Sequence, residues 1–173
     1  MTQELIDLKN SILEGRYADA LVIVDELEGM SRQAILRNIE SFLLRLLIHL
    51  IKNQVEKRLT NSWVASISDS IRQIKKLNLQ DNKTNYYIKL DEWEALIEDE
   101  FEAAIDAASV EAYDGDYTPF QLLEMVDKTQ VIITAQKLLN LTYEYSAKTL
   151  PTIIKQCIEE LPGGEEWKQG RYK

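Results

Sequence analysis

Apolar residues recur every three or four positions along nearly the whole chain, and no stretch alternates convincingly with a period of two. The pattern predicts an all-α fold, a compact helical bundle with a long central helix over about 32–58. A first helix covers about Gln3 to Leu13, with Leu5, Ile6, Leu8, Ile12 and Leu13 as its apolar positions. "EGRY" makes a turn in which Gly15 can take a left-handed cap. A second helix runs from about Tyr17 to Leu27 and is expected to end at Gly29. Ser31 then caps a third, about Arg32 to Arg58. A fourth starts from a cap at Asn61 or Ser62 and reaches about Leu77. "NLQDNKTN" reads as a loop, followed by a fifth helix from about Tyr86 to Ala112. Thr118 before Pro119 reads as the cap and first residue of a sixth. Two more helices are expected over about Lys128 to Tyr145 and Thr152 to Leu161. Residues 1–161 are thus expected to form a single all-helical domain, and 162–173 a flexible C-terminal tail. "EGRYADALVIVDEL" resembles half of a tetratricopeptide hairpin, but it has no second copy at the required period, so no solenoid is predicted.

The third helix is apolar on two sides. Ile35, Ile39, Phe42, Leu43, Leu46, Leu47 and Leu50 form one arc, and Leu44, Ile48, Ile51 and Val55 a second. Such a helix needs neighbours on both sides. Between the arcs runs a polar seam of Asn38, Ser41, Arg45, His49 and Lys52. His49 is the only histidine in the sequence, which makes it a candidate catalytic base. The alternative is a structural polar contact, because buried polar groups are normally paired. In the fifth helix most acids fall on the outer side, but Glu100 lies at the apolar edge beside Trp93 and Leu96. An acid there calls for a cation, so Glu100 is the expected partner of Arg45 and His49, with Asp25, Glu26 or Glu28 as the alternatives.

Composition adds a charge asymmetry. The net charge is −9 over 173 residues. Arg32 to Lys89 holds eleven Lys or Arg against four acids, a balance of +7, whereas Asp91 to Asp127 holds thirteen acids and no Lys or Arg. Nucleic acid is therefore not the expected ligand, since phosphate binding requires a positive footprint. The acidic block either packs against the basic one or presents a surface to a basic protein partner. No run of about 20 apolar residues is present, so no membrane partner is expected. The start, "MTQELIDLKN", lacks the pattern of a secretory leader, and a cytoplasmic location is the expectation. A single cysteine, Cys157, excludes an internal disulfide.

A metal-dependent hydrolase is the competing reading. Asp99, Glu102, Glu124 and Asp127, with Glu98 nearby, offer the oxygen ligands with which all-helical pyrophosphohydrolases hold Mg²⁺ on two helices. No Lys or Arg accompanies them within the block, and thirteen acids in 37 residues produce such spacings by chance. No metal or other cofactor is expected, and the leading expectation is a non-enzymatic interaction or regulatory protein. A homodimer is compatible with it.

Residues 27–77 also resemble an uncharacterised, largely cyanobacterial family, domain of unknown function twenty-nine. "DELEGMS", "LLRLLIHLIKNQ" and "NSWVASISDSIRQI" carry the resemblance. The sequence departs from the family pattern at Ser31, where Gly follows the Met, and at Asn53, where Trp is common. The resemblance implies a small all-helical bacterial protein with no assigned activity, and it implies that His49 and Trp63 belong to the family's core pattern.

Overall fold

The computed structural model describes residues 2–80 and 84–171. The helices are α1 (Thr2–Leu13), α2 (Tyr17–Glu56), α3 (Asn61–Asn78), α4 (Trp93–Glu111), α5 (Pro119–Met125), α6 (Lys128–Glu144), α7 (Leu150–Glu159) and α8 (Gly164–Lys168). The fold is all-α, and among the described residues extended pairing is limited to an isolated bridge between Leu79 and Tyr86. The chain divides into two compact units, Met1–Asn38 and Ile39–Lys173.

The expected break at Gly29 is absent. The second and third predicted helices are one helix of 40 residues, α2. Glycine inside a helix costs about 1 kcal/mol relative to alanine, too little to interrupt a long helix that has no proline. Gly15, in contrast, does turn the chain, with φ of 72°. The Arg16 amide donates to the Ser11 carbonyl at 2.8 Å and the Gly15 amide to the Ile12 carbonyl at 3.2 Å, which closes α1 in a Schellman motif. In the first unit α1 and the start of α2 thus form a helical hairpin, in which Ser11 and Ala20 are buried.

In the second unit the rest of α2 supplies much of the core. Ile39, Leu43, Leu46, Leu47 and Ile51 are fully buried and Leu50 nearly so, as the two apolar arcs require. The helix is tied to several neighbours through polar side chains. Gln54 exchanges two hydrogen bonds with the Asp127 backbone ahead of α6, at 2.8 and 3.0 Å. The Tyr113 hydroxyl donates to the Val55 carbonyl. Around it, α3 packs on α6 and α7, and α4 on α5 and α6.

Three element boundaries differ from expectation, each because a side chain bonds the backbone. Thr60, not Asn61 or Ser62, caps α3 by accepting from the Trp63 amide at 3.1 Å. The helix expected from Tyr86 starts only after a 3-10 turn at Leu90–Glu92. The Asn78 side chain holds the preceding segment extended, donating to the Ile88 carbonyl at 2.9 Å and accepting from the Ile88 amide at 2.7 Å. Part of the expected loop over 78–85, residues 81–83, lies outside the described residues. The third difference is the supposed tail. Asn53 donates to the carbonyls of Arg58 and Pro162 at 3.1 and 2.8 Å, and Trp167 donates to Asn61 at 3.0 Å. Residues 162–171 therefore hold the docked helix α8, whereas 172–173 lie outside the described residues. The two glycines permit this approach. A Cβ on Gly163, whose φ is 75°, would fall 2.7 Å from the Arg58 Cα, and one on Gly164 would fall 2.3 Å from the Glu159 carbonyl oxygen.

Candidate functional site

Arg45, His49 and Lys52 lie on one side of α2, but they answer to different partners. Arg45 Nη1 donates to Asp69 Oδ2 at 2.8 Å, and Nη2 donates to the Ser66 hydroxyl at 3.2 Å. Both partners come from α3, so the carboxylate on the seam is Asp69 and not Glu100. Burial pushes the Asp69 carboxyl up, but the Arg45 and Gln73 hydrogen bonds and the charges of Arg45 and Arg72 outweigh it and hold it below its ordinary value. Glu100 is half-buried, and its pKa is raised by burial and then by the like charges of Glu40 and Asp99. It stands among acids, the reverse of the expected pairing.

His49 Nδ1 lies 2.8 Å from the carbonyl oxygen of Arg45, one turn earlier in the helix. A carbonyl can only accept, so the imidazole proton sits on Nδ1 and the lone pair on Nε2. Burial lowers the His49 pKa, and the positive charges of Lys52 and Arg45 lower it further, against an opposing hydrogen bond to Arg45 and the charge of Glu111. The ring is therefore neutral at physiological pH.

Lys52 is the seam residue that sequence reasoning undervalued. Its side chain is 7% exposed, yet it keeps a charge partner in Glu111 Oε2 at 2.9 Å. Its Nζ lies 4.4 Å from the centroid of the buried Trp63 ring, and the Arg58 guanidinium carbon lies 4.6 Å from the same ring. Trp63 is thus an anchor between α2 and α3 as well as a surface for two cations. A second buried polar cluster gave no periodic signal. The Trp93 indole donates to the Tyr143 hydroxyl at 2.6 Å, and that hydroxyl donates to the Ile88 carbonyl at 2.7 Å. These groups satisfy one another and fix the crossover before α4.

The acids proposed as metal ligands do not converge. Glu98 pairs with Lys128 at 2.8 Å. Asp127 caps α6 by accepting from the Gln130 amide at 3.2 Å. Asp99, Glu102 and Glu124 are exposed. Among the described residues no three His, Cys, Asp or Glu side chains are grouped so as to hold a metal ion.

Two of these acids, Glu98 and Glu102, instead line a groove of about 550 Å³ between α4 and α5. Glu98, Glu102 and Asp106 form one wall, because residues four apart share a helix face. Phe101 and Ile105 line it beside them, and Phe120 and Leu123 of α5 face across. Phe120 is 82% exposed and Leu123 50%. Lys128 lies at the groove with its Nζ 5.1 Å from the Phe101 centroid. Lys52 reaches Glu111, but Arg45 and Arg72 bind Asp69, and Arg58 binds Glu56, which are acids of their own block.

The sequence pattern of the family Domain of unknown function DUF29 matches residues 6–140. The chain belongs to this family. The match extends well beyond the resemblance over 27–77 and takes in Arg45, His49, Trp63 and both walls of the groove. No curated protein and no solved structure matches this DUF29 chain. No helix among the described residues is long and apolar enough to cross a membrane.

Proposed function

We propose that this DUF29 protein is a non-enzymatic binding module that receives a basic, amphipathic helix of a protein partner in the groove between α4 and α5. The observation that carries the reading is Phe120. A phenylalanine 82% exposed loses the transfer free energy of its ring unless something covers it. It stands opposite a row of carboxylates, so the covering surface should be apolar along one stripe and cationic beside it. The hydrolase reading has less support, because Glu98 and Asp127 already serve an ion pair and a helix cap. The seam is read as structural, and the neutral His49 as part of the packing. The proposal takes the protein to act in the bacterial cytoplasm, without nucleic acid and without a membrane.

The test uses a labelled amphipathic Leu/Lys peptide and its Leu/Glu counterpart, followed by fluorescence anisotropy against the full chain. The Leu/Lys peptide should bind, more weakly as salt rises, and the Leu/Glu peptide should not. Phe120→Ala and Asp106→Lys should each weaken binding about tenfold, a loss of about 1.4 kcal/mol. Glu165→Lys, which lies outside the groove, should leave it unchanged. Equal losses from Glu165→Lys and Asp106→Lys would reduce the binding to net charge and overturn the proposal.

A further inference from the structure

Lys128 already does in the α4–α5 groove what a cation of a partner would do. It is the first residue of α6, and its Nζ lies 2.8 Å from Glu98 Oε2 and 5.1 Å from the Phe101 ring centroid. A carboxylate beside an aromatic ring is a seat for an ammonium group. Among the described residues that line the groove Lys128 is the one base, against Glu98, Glu102 and Asp106. The chain itself therefore fills one cation seat of an acidic groove.

Local helix physics does not account for a lysine at that position. The start of a helix carries the positive end of the backbone dipole, which favours acids and disfavours cations. Asp127 obeys this rule, with its carboxylate accepting from the Gln130 amide at 3.2 Å. Lys128 follows it against the dipole, and its charge is met by α4 rather than by its own helix. The hold is light. Both side chains of the Lys128–Glu98 pair are nearly half exposed, and ion pairs of that kind are weak enough for a competing cation to replace.

We infer that Lys128 is a built-in competitor for the groove, which occupies the seat formed by Glu98 and Phe101 in the free protein and yields it to a lysine or arginine of the incoming basic helix. This inference rests on the groove being the binding site, and it concerns how that site is regulated. A helix with a single cation exchanges one ion pair for another at the Glu98 seat and gains little there. A helix with several cations also engages Glu102 and Asp106, both exposed. Lys128 thus sets a threshold that favours a partner with a row of bases over one with a lone base. Loss of the charge on its Nζ lowers that threshold.

The test compares Lys128→Gln with Lys137→Gln in the full chain, by fluorescence anisotropy of the labelled Leu/Lys peptide. Each variant removes one positive charge, and glutamine keeps much of the lysine stem. Lys137 pairs with Glu160 and lies nine residues further along α6, a rise of about 13.5 Å. Both lysines are exposed, so both variants should keep the wild-type circular dichroism. Lys128→Gln should tighten binding about fivefold and Lys137→Gln less than about twofold, because charges beyond the screening length of about 8 Å at physiological salt contribute little. The second readout is acetylation of Lys128 by acetic anhydride, followed by mass spectrometry. A saturating Leu/Arg peptide, which has no lysine to react, should raise it at least about twofold, because the displaced amine loses the carboxylate that held it protonated. Equal affinities of the two variants, or a peptide that shields Lys128 from the reagent, would overturn the inference. The groove would still stand as the binding site if Phe120→Ala weakened the same peptide. A peptide that binds neither the wild-type chain nor Lys128→Gln would overturn both, whereas binding to Lys128→Gln alone would support the competitor role.

Discussion

Arg45 Nη1 lies 2.8 Å from Asp69 Oδ2, and this contact joins the polar seam of α2 to the exposed edge of α3. Both side chains are about one-third exposed. The pair therefore contributes modestly, in the manner of a hydrogen-bonded surface bridge rather than a buried one. Arg45→Met and Asp69→Asn should each cost about 0.5–1.5 kcal/mol. A double-mutant cycle by urea denaturation should give a coupling energy of about 0.5–1 kcal/mol. Strict additivity of the two losses would show that the contact does not stabilise the protein.

Glu100 should behave in the opposite way from a salt-bridged acid. Its carboxyl is raised above the ordinary 4.5 by burial and by Glu40 and Asp99. Sign follows from proton uptake. A carboxyl with a raised folded-state pKa binds its proton more readily when folded, so its contribution is present below the unfolded value and lost as pH rises through the folded one. Glu100→Gln should therefore stabilise the protein at pH 7, by about 0.5 kcal/mol for relief of one like-charge contact. The gain should shrink below about pH 4.5, where the wild-type carboxyl is itself neutral. Thermal melts at pH 7 and pH 4 compare the two chains directly, and a destabilised variant at pH 7 would contradict the assignment.

Leu46 is fully buried at the centre of the longer apolar arc. Leu46→Ala removes three carbons from a packed core and should cost about 2–5 kcal/mol. Chemical denaturation should show the midpoint moving with little change in slope. A loss well under 1 kcal/mol would mean that α2 is not the packing centre of the second unit.

Gly164 tests the docking of the C-terminal helix. An alanine Cβ would lie 2.3 Å from the Glu159 carbonyl oxygen, a backbone atom that cannot rotate away. Gly164→Ala should cost about 1–3 kcal/mol as overpacking. It should also free Trp167 from Asn61, which would be read as increased iodide quenching in a variant whose other tryptophans are replaced by phenylalanine. Unchanged quenching and stability would show that α8 contributes nothing to the fold.

The sequence by itself determined the fold class, the apolar arcs of α2 and the Thr118–Pro119 start of α5. These follow from local rules, a repeat of 3.6 residues and a cap, which act within a few residues of chain. It also determined the charge asymmetry, which is a count. It placed a helix end at Gly29 that α2 does not have, because a helix former and a helix breaker differ by only about 1 kcal/mol there and the neighbouring turns outweigh it. Only the tertiary structure decided the pairings. Asp69 is 24 residues from Arg45, Glu111 is 59 from Lys52, and Pro162 is 109 from Asn53. No periodicity links such positions. Glu100 was matched to a cation because an acid at an apolar edge needs one, but that acid stands half-exposed beside other acids, and burial together with Glu40 and Asp99 raises its pKa. The groove was half legible, since the row Glu98, Glu102, Asp106 can be read on a helical wheel. That Phe120 stands across from it required α5 to fold back on α4, a contact set by packing and not by spacing.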